Sequence, residues 1–390
     1  MTELPKGNKS YFNLQSSRCS MLYKSKSNYC LTCMIVFIFL MTSLYSCEDT
    51  VNDNKIIVSD AYELRISGKA EKAEELLIEL LKKDSTNAFA WFELARTKHH
   101  LFLGGTQFSA AEWEEVVNSL QQATRRAPDN KIIAFYYAYS SFFDAYISMM
   151  MQNPDAGENI ASAIDAFQSV LNLDPDCHEA QLYLVDIYGY LPEDMGGNKE
   201  KAGVSASDLN DKNKVWGAMA NARLMPDNAD FVLYWKNVEK EAGIDAQVLE
   251  ELGRAYLLKS DTENGTKYFK DAISTDMTRR YLYMHLVRYH LLSSQQNPNA
   301  REEHIVEAEK LANSYLQSSP VLTPPLKAYA YGILALIKMF SGDYSGSSEY
   351  QEIATSIDPY YSKGMGIPSE MLYCPPDEVK IQYNSFFLPF

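Results

Sequence analysis

Six histidines are the first place to look for a metal or acid–base centre: His99, His100, His178, His285, His290 and His304. A helical zinc motif sets two imidazoles one turn apart around an acid, as in H-E-x-x-H. No pair here has that spacing. His285 and His290 are five apart and do not share a helix face cleanly, and His99-His100 reads as a polar helix end beside Gly104-Gly105. The nearest approach to a phosphate-cradling loop is Met195-Gly196-Gly197-Asn198-Lys199. It lacks the G-x4-G-K-S/T spacing and follows a helix instead of a strand, so it reads as an inter-helix turn. There is no G-x-S-x-G elbow, no dinucleotide fingerprint and no evident catalytic cysteine. Paired acids such as Glu74-Glu75 and Glu114-Glu115 read as solvated helix faces. Cys30 and Cys33 have the spacing of a redox or metal pair, yet they sit inside an apolar run. The expectation is a non-enzyme with no metal and no cofactor.

What must then be positioned is a surface. The chain has 390 residues, 46% of them hydrophobic, with 27 tyrosines against 18 glycines. That mix suits a helical protein with aromatic knobs in its core. The formal net charge is −15. Ahead of Cys47 the balance is +4, from Lys6, Lys9, Arg18, Lys24 and Lys26 against Glu3, which leaves the rest at −19. Such a body is repelled by phosphate backbones, so nucleic acid is excluded as a partner.

The one strongly apolar run is 30–45, CLTCMIVFIFLMTSLY. At 16 residues it is shorter than a bilayer span of about 20, and with Lys24 and Lys26 before it, it reads as the core of an export signal. A plain N-terminal membrane anchor is the alternative. Leu44-Tyr45-Ser46-Cys47 resembles a bacterial lipobox, which implies lipidation of Cys47. The acidic stretch EDTVNDN that follows resembles the surface-export signals of Bacteroidetes lipoproteins. The expected organisation is an extension plus signal over 1–46, with Met21 as the true start, and a polar tether over 47–54. The implied location is the cell envelope: an outer-membrane lipoprotein facing periplasm or cell surface. Of the six cysteines only Cys177 and Cys374 remain in the mature body, which is no disulfide framework.

Internal repeats organise the remainder. Gly68, Ala73, Leu77 and Asp84 are followed by Trp91-x2-Leu94-Ala95; Leu249, Leu252-Gly253, Tyr256, Phe269 and Ala272 repeat the theme; Gly342-Asp343-Tyr344, Ala354 and Asp358-Pro359 close it. Midway, Ala163-x3-Phe167 runs into Asp174-Pro175. This set resembles the tetratricopeptide pattern. The small residue of each first helix gives a register, Ala61, Ala95, Ala138, Val185, Gly253, Val287 and Ala335, with steps of 34, 43, 47, 68, 34 and 48. The doubled step predicts a degenerate repeat centred on Met219. The fold expected is all-α: a tetratricopeptide superhelix of about eight hairpins over 54–361, at about 54–87, 88–130, 131–177, 178–211, 212–245, 246–279, 280–322 and 328–361. Extra residues near Gly104-Gly105, Asn153–Gly157 and Ser293–Ala300 are expected as loops on one edge. Proline after aspartate is expected to stop the second helices, because it has no amide proton and clashes with the preceding turn. The 362–390 tail, ending in Phe386, Phe387 and Phe390, is expected to cap the last hairpin; insertion into the groove as a built-in ligand is the alternative.

In tetratricopeptide proteins the first helices line a concave groove that holds peptides or protein segments. The residue after each small position is Tyr62, Arg96, Tyr139, Asp186, Ala220, Arg254, Arg288 and Leu336. The resemblance implies a protein or peptide partner there, with Arg96, Arg254 and Arg288 clamping carboxylates and Phe89, Tyr139 and Tyr281 as aromatic anchors. Pairing of the arginines with acids of neighbouring helices is the alternative. The stripe departs from the carboxylate-clamp subfamily, which uses lysine and asparagine. The function implied is a non-enzymatic envelope scaffold for protein–protein interaction. The rival is a solute- or glycan-handling lipoprotein, since SusD-like and TRAP-transporter-associated lipoproteins also build on this scaffold.

Overall fold

The computed structural model describes residues 54–104, 109–360 and 369–383. The export segment, Cys47, the tether up to residue 53, Gly105, Phe386, Phe387 and Phe390 lie outside the described residues. The chain divides into two compact units, Met1–Lys55 and Ile56–Phe390, and the helical array is the second.

The described residues of the array hold sixteen α-helices and no strand. They are α1 (54–66), α2 (Ala70–Lys83), α3 (Ala88–Gly104), α4 (Ala110–Arg126), α5 (Lys131–Met150), α6 (Ala156–Leu173), α7 (His178–Tyr190) and α8 (Lys199–Lys212). There follow α9 (Lys214–Leu224), α10 (Phe231–Ala242), α11 (Ala246–Leu258), α12 (Thr262–Thr275), α13 (Leu282–Gln296), α14 (Arg301–Leu316), α15 (Pro324–Ser341) and α16 (Tyr344–Ile357). They pack as consecutive hairpins. The weak hairpin is α9–α10: α9 packs mainly on α8 and α10 mainly on α11. It is the degenerate repeat, and the Tyr234 hydroxyl ties its two helices by donating to the Ala218 carbonyl.

First and second helices differ in a way their sequences explain. In α2 the buried residues are Ala70, Ala73, Leu77, Leu80 and Leu81, one stripe at helical spacing. In α7 every residue from Ala180 to Tyr188 is buried. α7 is enclosed by its partner α8, by its neighbours α6 and α9 and by a further segment described below, so its middle turns carry no solvent face. The small positions serve close packing. A methyl on Gly253 would fall 2.2 Å from the Phe269 ring of the paired helix.

Aspartate, more than proline, stops the second helices. Asp84, Asp174, Asp276 and Asp358 each follow the last helical residue, and each side chain accepts the amide two residues on, at 3.0, 3.2, 3.0 and 2.9 Å. These Asx turns redirect the chain by competing with the helical ladder. Pro175 and Pro359 follow two of them, but Asp84 and Asp276 act without one. The added residues of the long repeats also behave differently from the expectation. They extend helices, as in α5 of 20 residues and α6 of 18, joined by Met151–Asp155. Nothing in 139–150 breaks a helix, and the first proline is Pro154.

The ends of the array touch. His100 Nε2 lies 3.1 Å from the Asp358 carboxylate, both fully buried. A Cβ on Gly104 would meet the Tyr360 carbonyl at 2.3 Å, so only glycine fits that crossing.

The C-terminal segment is the main departure. Read as a cap on the last hairpin, its described part, 369–383, instead runs along the first helices of repeats one to five. A cap of the final hairpin would need only apolar contact. This segment brings carbonyls and a carboxylate that buried arginines of distant repeats require.

Candidate functional site

The first-helix face begins with three buried charges. Glu93 of α3 sits between Arg65 of α1 and Arg96 of α3. Arg65 donates to Glu93 Oε1 through Nε at 2.9 Å and Nη2 at 2.7 Å, and Arg96 Nη1 donates to Oε2 at 2.8 Å. One carboxylate for two guanidiniums leaves a buried positive charge with unspent N–H groups, which need acceptors. The C-terminal segment provides them. Arg65 Nη1 and Arg96 Nη2 donate to the Leu372 carbonyl at 2.8 and 2.9 Å, and Arg96 Nη2 also reaches the Cys374 carbonyl at 2.5 Å. Tyr62 donates to the Tyr373 carbonyl at 3.0 Å. Three successive carbonyls are thus held. Tyr373 itself is fully buried, with its hydroxyl 2.9 Å from His100 Nδ1. Burial pushes the His100 imidazole down, against the pull of Asp358, and the tyrosine hydroxyl well up. Both stay neutral.

From the opposite side Arg280, in the turn before α13, forks onto Glu370 at 2.7 and 2.8 Å. Further along, Val379 joins the buried apolar cluster that includes Ala88, Phe92 and Ala95 of α3. Tyr136 of α5 donates to the Lys380 carbonyl at 2.9 Å. Tyr383 then donates to Asp186 Oδ2 of α7 at 2.5 Å. Its ring lies 4.7 Å from Tyr183 and 6.4 Å from Trp216, with the Arg223 guanidinium 6.0 Å away. Burial pushes the Asp186 carboxyl up to about 6, opposed by Arg223 and by the Tyr383 hydrogen bond.

The predicted stripe residues fare unequally. Arg96 lies on this face but serves Glu93 and the chain's own carbonyls. Arg254 is buried and pairs with Glu250 at 2.7 Å; Arg279 reaches the same carboxylate, and Tyr281 donates to it at 2.8 Å. Both arginines find an acid on their own helix, three or four residues back. Tyr139 packs its ring 6.0 Å from Tyr183, inside the α5–α7 core, so it is no open anchor. Phe89 stands 55% exposed on the first turn of α3. Arg288 is exposed on α13. The structure brings Tyr281 and Arg254 together around Glu250; it places Arg96 with Arg65 and Glu93, which sequence reasoning missed. The available signal was Glu93 and Arg96 one turn apart in the apolar run of α3, with Arg65 among the apolar residues of α1. Asp186, the one acidic residue of that stripe, is the acceptor for Tyr383.

The other histidines show no catalytic grouping. His99 and His100 fall inside α3, not at its end: His99 packs edge-on at 5.0 Å against Trp113, and burial lowers its pKa to about 3. His290 and His304 face each other through Nδ1 atoms 2.9 Å apart, beside a cleft of about 900 Å³ carrying Glu263, Glu302, Glu303 and Glu307. Burial lowers His290 to about 4. Among the described residues no three His, Cys, Asp or Glu side chains gather as a metal site, and no helix is long and apolar enough to cross a membrane. Gly196 and Gly197 form the turn into α8, which Asn198 caps.

No protein-family model matches the sequence, and no characterised protein matches it either. Solved structures do. A tetratricopeptide repeat protein from Parabacteroides merdae is 13% identical, covering 78% of this chain and 93% of that one, with a TM-score of 0.38. The MamA protein is 16% identical, covering 58% and 94%, with a TM-score of 0.29. The C-terminal part of a repeat protein from Cytophaga hutchinsonii is 14% identical, covering 77% and 95%, with a TM-score of 0.26. Those figures say nothing of partners. The consecutive hairpins, the small-residue crossings and the Asx-terminated second helices make this chain a tetratricopeptide-type α-solenoid.

Proposed function

We propose that this protein is a non-enzymatic envelope lipoprotein, anchored through Cys47, that recruits a protein partner by holding a segment of its main chain in the concave groove of its first helices. One observation carries the reading. Side chains on four first helices take main-chain carbonyls or a phenol of the C-terminal segment, first around a short 3-10 turn at Glu370–Leu372 and again at Lys380 and Tyr383. Holding carbonyls binds a segment largely without regard to its side chains, and pockets between the grips then set preference. The acidic body favours a partner without strong negative charge.

Two experiments test it. The first is metabolic labelling with a palmitate analogue: label should be lost in Cys47→Ala, and label retained there would remove the anchor. The second places a photo-crosslinking amino acid at Arg288, exposed on α13, or at Ile244, which is 85% exposed between α10 and α11. One defined protein should be captured from position 288 and not from 244. Equal capture from both would remove the groove.

A further inference from the structure

The C-terminal segment is held in two unequal parts. Glu370 to Cys374 is locked: Leu372 and Tyr373 are buried, three carbonyls are gripped, and Glu370 is forked by Arg280. Pro375 to Glu378 then makes a turn closed by the Glu378 amide on the Pro375 carbonyl at 3.0 Å, with Asp377 and Glu378 exposed. Beyond it the arm 379–383 is held lightly. Val379 is buried, Lys380 is exposed, and Ile381 to Tyr383 are half-buried. The Tyr136 bond to the Lys380 carbonyl, the Tyr383 bond to Asp186 and the ring contacts of Tyr383 with Tyr183 and Trp216 are among its grips on the helices.

The pocket under Tyr383 is more demanding than its occupant. Asp186 and Arg223 are 1% and 6% exposed, and Tyr183 is fully buried. Arg223 Nε is 3.4 Å from Asp186 Oδ1, beyond good hydrogen-bond length, and Arg223 Nε and Nη2 are buried without a hydrogen bond. Buried donors of this kind are costly to leave unmade. The phenol satisfies one carboxylate oxygen and leaves Nε and Nη2 of the guanidinium without a hydrogen bond. A segment that brought both a phenol and an adjacent acceptor would fit better.

We propose that 375–383 is a releasable arm standing in for a partner, and that the surface beneath it, built by Tyr136, Tyr183, Asp186, Trp216 and Arg223, accepts an extended, tyrosine-bearing segment of another protein. This rests on the recruitment reading above and adds the chemistry of the segment and the place it docks. The tether gives the arm an effective concentration on the order of millimolar, so an external segment must outcompete it. Apparent affinity falls by the fraction of chains with the arm released.

The test uses the full chain and a fluorescent peptide of the arm, PPDEVKIQY, in anisotropy titrations. In one chain the arm is weakened by Val379→Ala with Tyr383→Ala. The peptide should bind the weakened chain at least tenfold more tightly than the unaltered one. The same peptide with Tyr383→Phe should lose about tenfold, the worth of one hydrogen bond to a charged group. Asp186→Asn in the weakened chain should erase that difference between peptides. A weakened chain that binds no peptide overturns the proposal, whether its melting point is unchanged or lowered; a lowered one would make the arm a structural staple. Equal binding of the tyrosine and phenylalanine peptides overturns the pocket, as does displacement of the peptide by a neutral oligosaccharide at millimolar concentration. Failure of the peptide alongside specific crosslinking from position 288 would remove the arm and leave the recruitment reading in place.

Discussion

Two places on the first-helix face carry the same device: one buried glutamate between two arginines. At the first hairpins it is Glu93 with Arg65 and Arg96; at the sixth it is Glu250 with Arg254 and Arg279. They differ in what the spare guanidinium donors do. At Glu93 they reach two carbonyls of the C-terminal segment, Leu372 and Cys374, and the side chains are 0%, 0% and 5% exposed. At Glu250 the third donor comes from Tyr281, and Arg279 also has Gln247 at 3.0 Å and Asp276 at 3.5 Å. The first cluster depends on the C-terminal segment; the second is complete within its own repeats. A charged stripe on such a face therefore says nothing of ligand until each arginine's local acid has been counted.

The largest expected effect breaks this comparison directly. Glu93→Ala leaves two guanidiniums buried without a counter-charge and should cost about 3–5 kcal/mol, the usual range for a broken buried pair. Glu250→Ala should cost about 1–3 kcal/mol, because Arg254 and Arg279 are 11% and 17% exposed and Arg279 keeps other partners. Urea midpoints of both variants at one pH decide it. Equal losses would mean that the C-terminal segment adds nothing to the first cluster.

A middle-sized effect concerns the far end of the held segment. The Asp186 carboxyl is raised by burial to about 6 from its ordinary 3.8. The folded state therefore binds this proton more tightly than the unfolded one. That contribution is full below about pH 4, is lost as pH rises through about 6, and is flat above. A shift of this size corresponds to about 2–3 kcal/mol. Relative to Asp186→Asn, the natural chain should gain that much between pH 7.5 and 4.5. Carboxylates held low by hydrogen bonds, such as Asp174 and Asp208, act in the opposite sense and are common to both chains. A pH-independent difference between the two would show that Asp186 is solvated, with the arm released.

Much of the fold was legible. The register of small residues marks the helix crossings, and Ala95, Ala138 and Ala335 are 1%, 0% and 4% exposed where that register put them. Asp84, Asp174 and Asp358 were visible too, although their action as Asx turns needs geometry to see. The tail in the groove was legible only as the alternative to a cap, and its contacts were not legible, for a physical reason. Arg96 and the Leu372 carbonyl are 276 residues apart, and a main-chain acceptor leaves no residue type to search for. Nor does periodicity mark Asp186 and Tyr383, whose pairing spans 197 residues. The local half of each contact, Glu93 three residues before Arg96 and Glu250 four before Arg254, was in plain view.

The smallest effect sharpens the comparison without removing charge. A lysine in place of Arg96 keeps the cation for Glu93. Its compact ammonium cannot also span the Leu372 and Cys374 carbonyls, which one guanidinium nitrogen reaches while another holds the carboxylate. Arg96→Lys should therefore cost about 1–2 kcal/mol through lost hydrogen bonds. Arg254→Lys should cost about half that or less, since Glu250 retains Arg279 and Tyr281. Amide exchange locates the difference. In Arg96→Lys protection should fall at residues 372–374 and their neighbours on α1 and α3, whereas in Arg254→Lys it should fall only around α11 and α12. Loss confined to α3 in the first variant would mean that the carbonyl contacts are passive, and that the segment is held by Tyr373 and Glu370 alone.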